Sequence, residues 1–412
     1  MGMGKIPRRE FLKSGAAGAV GAGLGIGFPA GVRAQTKEVV MLGIWPFTGP
    51  FADAGPLLDR GMKLAIEEWG NKVIGRPIKY ITRDSETKAG PATRRVEEAI
   101  DSENVKFVIG PWSSGVALAV TEVAKRRKVF HYFSGGTEDL AGKRCHRYGF
   151  QWAASPYTAS HIVVDKFMEL NPKAKRWYLF VFDFTFGWSV EKYIKIAGQR
   201  HGIDFIGTDR IAVGTREFSG FVSKAAAAKP DVLCLVSAAQ DFILQVREAH
   251  NFGLAPKVAI VQPWGLGSEE LAQLDAKTRE NLWTGTNGYY TANAPVAKKY
   301  VETYQKKFDI PPGYATIAGY SMTRLVLRAI ERAKSAEPAD VIKALEGWET
   351  EDWPGKVRIN PKTHQTERDY FFLQCKKPDQ MKHPHDYAEI LAVSSTPLMP
   401  DAFNECQDIG SL

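Results

Sequence analysis

The residues best placed to do chemistry in this 412-residue chain are short polar groups in three Gly-bearing segments. These are Pro46-Phe47-Thr48-Gly49-Pro50, Gly110-Pro111-Trp112-Ser113-Ser114-Gly115 and Ser134-Gly135-Gly136-Thr137. Ser and Thr hydroxyls are compact donors, and Gly lets a ligand come close to the backbone. A helix that starts just after such a segment adds unpaired N–H groups at the positive end of its dipole. That combination suits holding a carboxylate. Taken one at a time, such residues are accounted for by plain N-capping. Three of them in one half of the chain, each expected to precede a helix at the same sheet edge, point to a cradle.

The constellations of bond-breaking chemistry are missing from the sequence. It contains no Gly-x-Ser-x-Gly elbow, phosphate loop, paired-His zinc helix or Cys-x-x-Cys. His383 and His385 flank Pro384 in a polar tail and read as surface residues. Asp183, Asp241 and Glu269 lie near expected strand ends, where isolated acids cap helices or pair with bases more often than they catalyse. Neither a cofactor nor a metal is expected.

Those segments need a scaffold that gathers strand ends, and the periodicity supplies one. Strands are expected at Val39 to Trp45, Ile78 to Thr82, Lys106 to Ile109 and Lys128 to Phe133. They alternate with helices whose apolar faces carry Leu58, Met62 and Ala65, then Val96 and Ala99, then Val116, Val120 and Val123. Such alternation predicts a mostly parallel sheet covered on both faces. The pattern restarts at Trp177 to Phe182 and runs to Val258 to Val261. It lapses between 262 and 296, and long helices return at 295 to 308 and 315 to 334. The expected fold class is α/β, with two doubly wound lobes. A ligand cleft should lie outside the carboxyl ends of their strands.

Composition agrees with two packed lobes: 44% hydrophobic and 24% charged residues exclude disorder and a collagen-like chain. Residues 14 to 32 are too short and Gly-rich to span a bilayer as a helix. The net charge is +8, but the first 34 residues carry Lys5, Arg8, Arg9, Lys13 and Arg33 against Glu10, so the rest carries only +4. With no basic stripe interleaved with aromatics, that surplus is no nucleic-acid footprint.

Those 34 residues read as an export signal: a basic start, a weakly apolar Gly-rich middle and the exit Val32-Arg33-Ala34, with a mature start near Gln35. Arg8-Arg9-Glu10-Phe11-Leu12-Lys13 follows the twin-arginine pattern, with Pro7 where Ser or Thr is usual. An ordinary Sec signal with a chance arginine pair is the alternative, and either places the protein outside the cytoplasm. Export makes disulfides permissible. Cys234 lies in the apolar run 232–236 and Cys375 ends Phe371-Phe372-Leu373-Gln374, so both read as buried thiols. Cys145 and Cys406 sit in polar, loop-like surroundings and are the favoured pair.

A family likeness is carried by Val40 to Gly61 with Thr48-Gly49-Pro50 and Gly55, by Ile109-Gly110-Pro111, by Ser113-Ser114-Gly115-Val116-Ala117-Leu118-Ala119 and by Gly135-Gly136-Thr137. Phe186-Gly187 and the neighbourhoods of Cys145 and Cys406 extend it. The chain resembles the periplasmic branched-chain amino acid binding proteins, extracytoplasmic components of ABC importers. The likeness implies a type I periplasmic binding protein fold whose lobes are joined by a three-crossing hinge. Lobe 1 would span 35–153 plus 288–364, and lobe 2 would span 154–287 plus 365–412. It implies a periplasmic monomer that is not an enzyme, takes a small-molecule solute and delivers it to an ABC permease. A sensor subunit read by a separate receptor is the alternative, and an exported enzyme a more distant one. Ser113, Ser114, Gly135, Gly136 and Thr137 fall on or beside the positions that hold a carboxylate.

Departures from that family bear on the ligand. Its amino-acid binders hold the ammonium group with an acid of the second lobe, and Trp264 stands at that position here. Phe186 stands where a Tyr is common, and Ala238 and Ala239 replace bulkier residues. A buried ammonium without an anionic partner costs several kcal/mol, so the expected solute is an aromatic or apolar organic acid. The branched-chain amino acid stays open, with Asp183 or Asp241 holding the amine and Trp264 packing against the hinge.

Overall fold

The computed structural model describes residues 38–394 and 399–412. The expected export signal, its arginine pair and the start near Gln35 lie outside the described residues. Among the described residues no helix is long and apolar enough to cross a membrane.

The first half builds one α/β sheet from β1 (Val39–Trp45), α1 (Ala54–Glu68), β2 (Lys72–Val73), β3 (Arg76–Asp84), α2 (Ala89–Glu103), β4 (Phe107–Ile109), α3 (Ser114–Arg127), β5 (Phe130–Phe133) and β6 (Gly149–Gln151). Strand order is β2-β3-β1-β4-β5-β6, and every pair except β2 with β3 is parallel. All seven residues of β1 are buried, as a strand covered by helices on both faces must be.

A second sheet follows with α4 (Pro156–Leu170), β7 (Arg176–Phe182), α5 (Thr185–Arg200), β8 (Asp204–Ile211), α6 (Ser219–Ala227), β9 (Val232–Val236), α7 (Ala239–Asn251), β10 (Ala259–Gln262), α8 (Ser268–Leu271) and β11 (Leu282–Thr286). The chain then runs through α9 (Pro295–Phe308), α10 (Tyr314–Ala333) and α11 (Pro338–Leu345). Helix α10 lies on α1 of the first lobe at backbone contact, since a Cβ on Gly319 would fall 2.0 Å from the Leu58 carbonyl oxygen. A small antiparallel sheet, β12 (Glu349–Glu351), β13 (Lys356–Ile359) and β14 (Thr366–Arg368), precedes β15 (Tyr370–Cys375) and β16 (Ala388–Ser394). The last two add antiparallel to the second sheet, whose order is β16-β15-β11-β10-β9-β7-β8.

Two differences from the sequence reading have physical causes. The stretch between 262 and 296, where periodicity lapses, contains α8 and β11. All five residues of β11 are buried, and Leu-Trp-Thr-Gly-Thr has neither an apolar run nor an alternation to reveal it. The segment Ser134 to Thr137 does not open a helix. It leads into a single 3₁₀ turn, Glu138–Leu140.

Cys145 and Cys406 form a disulfide across 261 residues of chain. Cys234 and Cys375 are free and buried.

Candidate functional site

The loops that follow the parallel strands of both sheets converge on one pocket between the lobes. Its walls are Phe51, Trp112, Ser113, Ser114, Ser134 and Gly136 from the first-lobe loops. Phe182, Phe184, Phe186, Ala238, Trp264 and Gly265 come from the second lobe, and Tyr314 from the start of α10. Seven of these thirteen residues are aromatic and none is charged, and the space they leave is about 40 Å³. A water needs roughly 10–15 Å³ of such space, so the walls stand close together.

Of the residues singled out in the sequence, Ser113, Ser114, Gly136, Phe186, Ala238 and Trp264 line this pocket. Gly135 and Thr137 do not. Gly135 presents its carbonyl to Gln151 Nε2 at 2.7 Å. Thr137 is buried with its hydroxyl oxygen 2.9 Å from Ser189 Oγ of α5, so it joins the lobes beside the pocket.

The polar edge is arranged around α3. Ser113 occupies the N-cap position of this fourteen-residue helix and lines the pocket, but makes no side-chain capping bond, so its hydroxyl is not spent on capping. Ser114 Oγ accepts from the Gly136 N–H at 2.9 Å and the Thr137 N–H at 3.2 Å. It therefore fixes the loop after β5 and keeps its own hydrogen to donate. Ser134 donates to the Pro111 carbonyl at 3.2 Å.

The aromatic wall is knit together across the lobes. Phe186 meets Trp264 edge-on with centroids 5.4 Å apart, and Tyr314 contacts both Trp112 and Trp152 at 5.4 Å. Trp264 Nε1 donates to the Tyr314 hydroxyl at 3.2 Å. Burial raises the Tyr314 phenol far above its ordinary value, so it stays protonated.

The acids proposed as amine holders lie elsewhere. Asp183 accepts from Trp188 Nε1 at 2.9 Å, and Asp241 accepts from the Gly214 N–H at 2.7 Å. Neither lines the pocket. Glu269 and Glu270 of α8, a few residues beyond Trp264, are half-buried and do not line the pocket. Glu269 accepts from Thr316 Oγ1 at 2.9 Å, and Glu270 accepts from the Gly267 N–H at 3.0 Å. Desolvation raises both carboxyls, and for Glu270 the neighbouring Glu269 charge adds to it.

Sequence reasoning missed Phe51, Phe182, Phe184 and Tyr314. Phe182 and Phe184 carried a usable signal, because residues two apart in extended chain share a face and Phe184 is extended. Tyr314 carried none: it reaches the pocket only because α10 folds back onto α1.

A two-lobed α/β protein of the type I periplasmic binding fold, with an aromatic pocket where both sets of strand ends meet, is what these elements define. The chain belongs to the periplasmic binding protein family, whose model matches residues 39–380. It is 26% identical over 337 residues to Leu/Ile/Val-binding protein homolog 7 of Brucella abortus, covering 77% of this chain and 82% of that one. An amino acid ABC transporter substrate-binding protein from Pseudomonas fluorescens superposes with a TM-score of 0.85 at 29% identity, over 90% of this chain and 99% of that one. A solute-binding protein of an ABC transporter from Rhodopseudomonas palustris, solved with 3,4-dihydroxybenzoic acid, shares the fold with a TM-score of 0.81 at 21% identity, over 89% and 99% of the two chains. Members of this family are solute-binding proteins.

Proposed function

We propose that the protein is the periplasmic solute-binding component of an ABC importer and that its cleft closes on a small aromatic or apolar monocarboxylate. One observation carries this: the pocket wall is predominantly aromatic and contains no acid to hold an ammonium group. Aromatic walls favour a flat apolar body. The carboxylate end belongs at Ser113 and Ser114, with the Gly135-Gly136-Thr137 loop held against it. Phe186, Ala238 and Trp264 cover the body.

In this reading the chain crosses between lobes near 154, 288 and 365, and these crossings form the hinge. A solute touching both lobes stabilises the closed state, and the permease distinguishes loaded from empty protein by that shape. The protein works as a monomer, without a cofactor and without chemistry of its own.

A thermal-shift panel of benzoate-type acids, aliphatic acids, amides, leucine and urea tests this, because a ligand that binds only the folded state raises the melting temperature. Aromatic monocarboxylates should give the largest rise. A larger rise with leucine or urea overturns the solute assignment.

A further inference from the structure

The pocket wall carries no charge, but a buried cation with no ion pair among the described residues lies one layer behind it. Arg368, the last residue of β14, is 5% exposed. Its guanidinium sits over the Trp152 ring, 4.8 Å from the centroid, and Nη1 reaches the Trp353 carbonyl only at 3.5 Å. Its Nε has no hydrogen-bond partner, and its side-chain hydrogen-bond partner is the neutral Tyr132 hydroxyl. Among the described residues no carboxylate forms an ion pair with it. Asp352, whose field it feels, is taken by Arg324 at 3.4 Å and Arg328 at 2.8 Å.

The guanidinium communicates with the pocket through Tyr314. The Trp152 ring that it covers packs against Tyr314, and Arg368 interacts electrostatically with the Tyr314 phenol. That hydroxyl accepts from Trp264 Nε1, which leaves its proton to donate. A buried cation without an ion-pair partner is costly.

We propose that Arg368 is the charge-selecting residue of the pocket, a positioning residue that acts through Tyr314 and makes the aromatic site prefer a monoanion over a neutral or zwitterionic solute of the same shape. A carboxylate entering the pocket supplies the negative charge that Arg368 lacks, across a low-dielectric path where attraction survives several ångströms. A neutral amide supplies none. A zwitterion brings an ammonium that cancels the gain. The inference rests on the organic-acid reading and adds the source of its charge preference.

The test is calorimetry with benzoate and its neutral isostere benzamide on the natural protein, Arg368→Met and Arg368→Lys. The natural protein should prefer benzoate by about tenfold or more, and Arg368→Met should lose most of that preference while binding benzamide within about twofold of the natural value. Arg368→Lys should keep the preference at low pH and lose it as pH rises from about 6 to about 9, because burial lowers a lysine's pKa while arginine stays charged. If Arg368→Met fails to fold, that pH dependence decides alone. Equal loss of both probes in Arg368→Met, an unchanged preference in it, or a pH-independent preference in Arg368→Lys overturns the inference. If the natural protein binds neither probe, the organic-acid reading falls, and the inference with it.

Discussion

Gly136 of the first lobe and Trp264 of the second meet so closely that a Cβ on Gly136 would lie 2.7 Å from Trp264 Cζ2. The same atom would lie 3.2 Å from Phe186 Cδ2. A glycine on one lobe thus lets the aromatic wall of the other close over the pocket. Gly136→Ala should hold the lobes apart, since neither indole nor backbone has room to yield. The expected result is a loss of solute affinity of about tenfold or more, from an overpacking cost of roughly 1–3 kcal/mol. Calorimetry would measure the loss, and small-angle scattering should show that added solute no longer shrinks the variant.

Beside that contact a polar clasp crosses the lobes. Thr137 Oγ1 lies 2.9 Å from Ser189 Oγ, Lys192 pairs with Glu138 at 3.0 Å, and Tyr193 donates to Glu138 at 2.5 Å. None of these residues lines the pocket. Ser189→Ala removes the buried bond with Thr137 and a long one from the Glu138 N–H at 3.4 Å; at about 1 kcal/mol for the first, it should weaken every solute by roughly fivefold or more regardless of its chemistry. Ser114→Ala is different. It strands the Gly136 and Thr137 N–H groups and removes a donor at the carboxylate end, so carboxylates should lose about 1–3 kcal/mol while amides lose less. Equal losses for both solute classes in Ser114→Ala would remove Ser114 from the carboxylate site.

The cysteines divide by environment. Cys234 in β9 and Cys375 in β15 are buried, and desolvation raises both thiols, that of Cys375 to about 12. The native protein should therefore show no reactive thiol toward a disulfide reagent, and the unfolded, unreduced protein should show two. Closing so long a loop with Cys145–Cys406 stabilises by up to roughly 4–5 kcal/mol in the chain-entropy view, and engineered cases commonly deliver less. The Cys145→Ser, Cys406→Ser double variant should melt measurably lower. An unchanged melting temperature would mean that the tail is held by other contacts.

The pairing of Cys145 with Cys406 is legible because apolar neighbours remove Cys234 and Cys375 from contention; β1, β4 and β5 of the first sheet are legible as short apolar runs, whereas the short strands β2 and β6 carry no such run and are not read. The pocket was only half legible. Ser113, Ser114 and Gly136 announce themselves by following a strand, whereas Tyr314 arrives from a distant helix and Arg368 from a strand of mixed polarity. Thr137 shows the limit from the other side: its type and place suit a ligand contact, but the fold turns its hydroxyl toward Ser189. Local spacing reports which residues follow a strand, but side-chain direction is settled by packing between lobes.

Stability should vary with pH in two opposing limbs. Glu270 is pushed up to about 8 from an ordinary 4.5, so between those values the fold holds a proton that the unfolded chain has released. Stability therefore falls as pH rises through that window. Burial lowers His131 to about 3 and His146 to about 4 from 6.5. There the unfolded chain binds protons that the fold excludes, and stability falls as pH drops below about 6.5. Glu270→Gln keeps an oxygen for the Gly267 N–H and should flatten the alkaline limb alone. Melting temperatures from pH 5 to pH 9, spanning both limbs, would check this; an alkaline limb unchanged by the substitution would assign it to other groups.

In the organic-acid proposal, solute choice turns on Trp264. The family likeness implies that it stands where amino-acid binders carry an acid; it is 6% exposed, and its indole N–H donates to the Tyr314 hydroxyl. Trp264→Glu would place a carboxylate opposite an ammonium group and at the same time remove a large aromatic face. Leucine affinity should rise and benzoate affinity fall, each by about tenfold, since a charge-assisted bond of roughly 1.5–3 kcal/mol is gained for one ligand and repulsion added for the other. The lost volume works against leucine, so Trp264→Gln serves as control: it opens the same space without the charge. Only the Glu variant should gain leucine binding. Should the natural protein bind leucine tightly, and Trp264→Glu leave that affinity where it was, Trp264 packs the wall without choosing the solute, and the amine is held elsewhere.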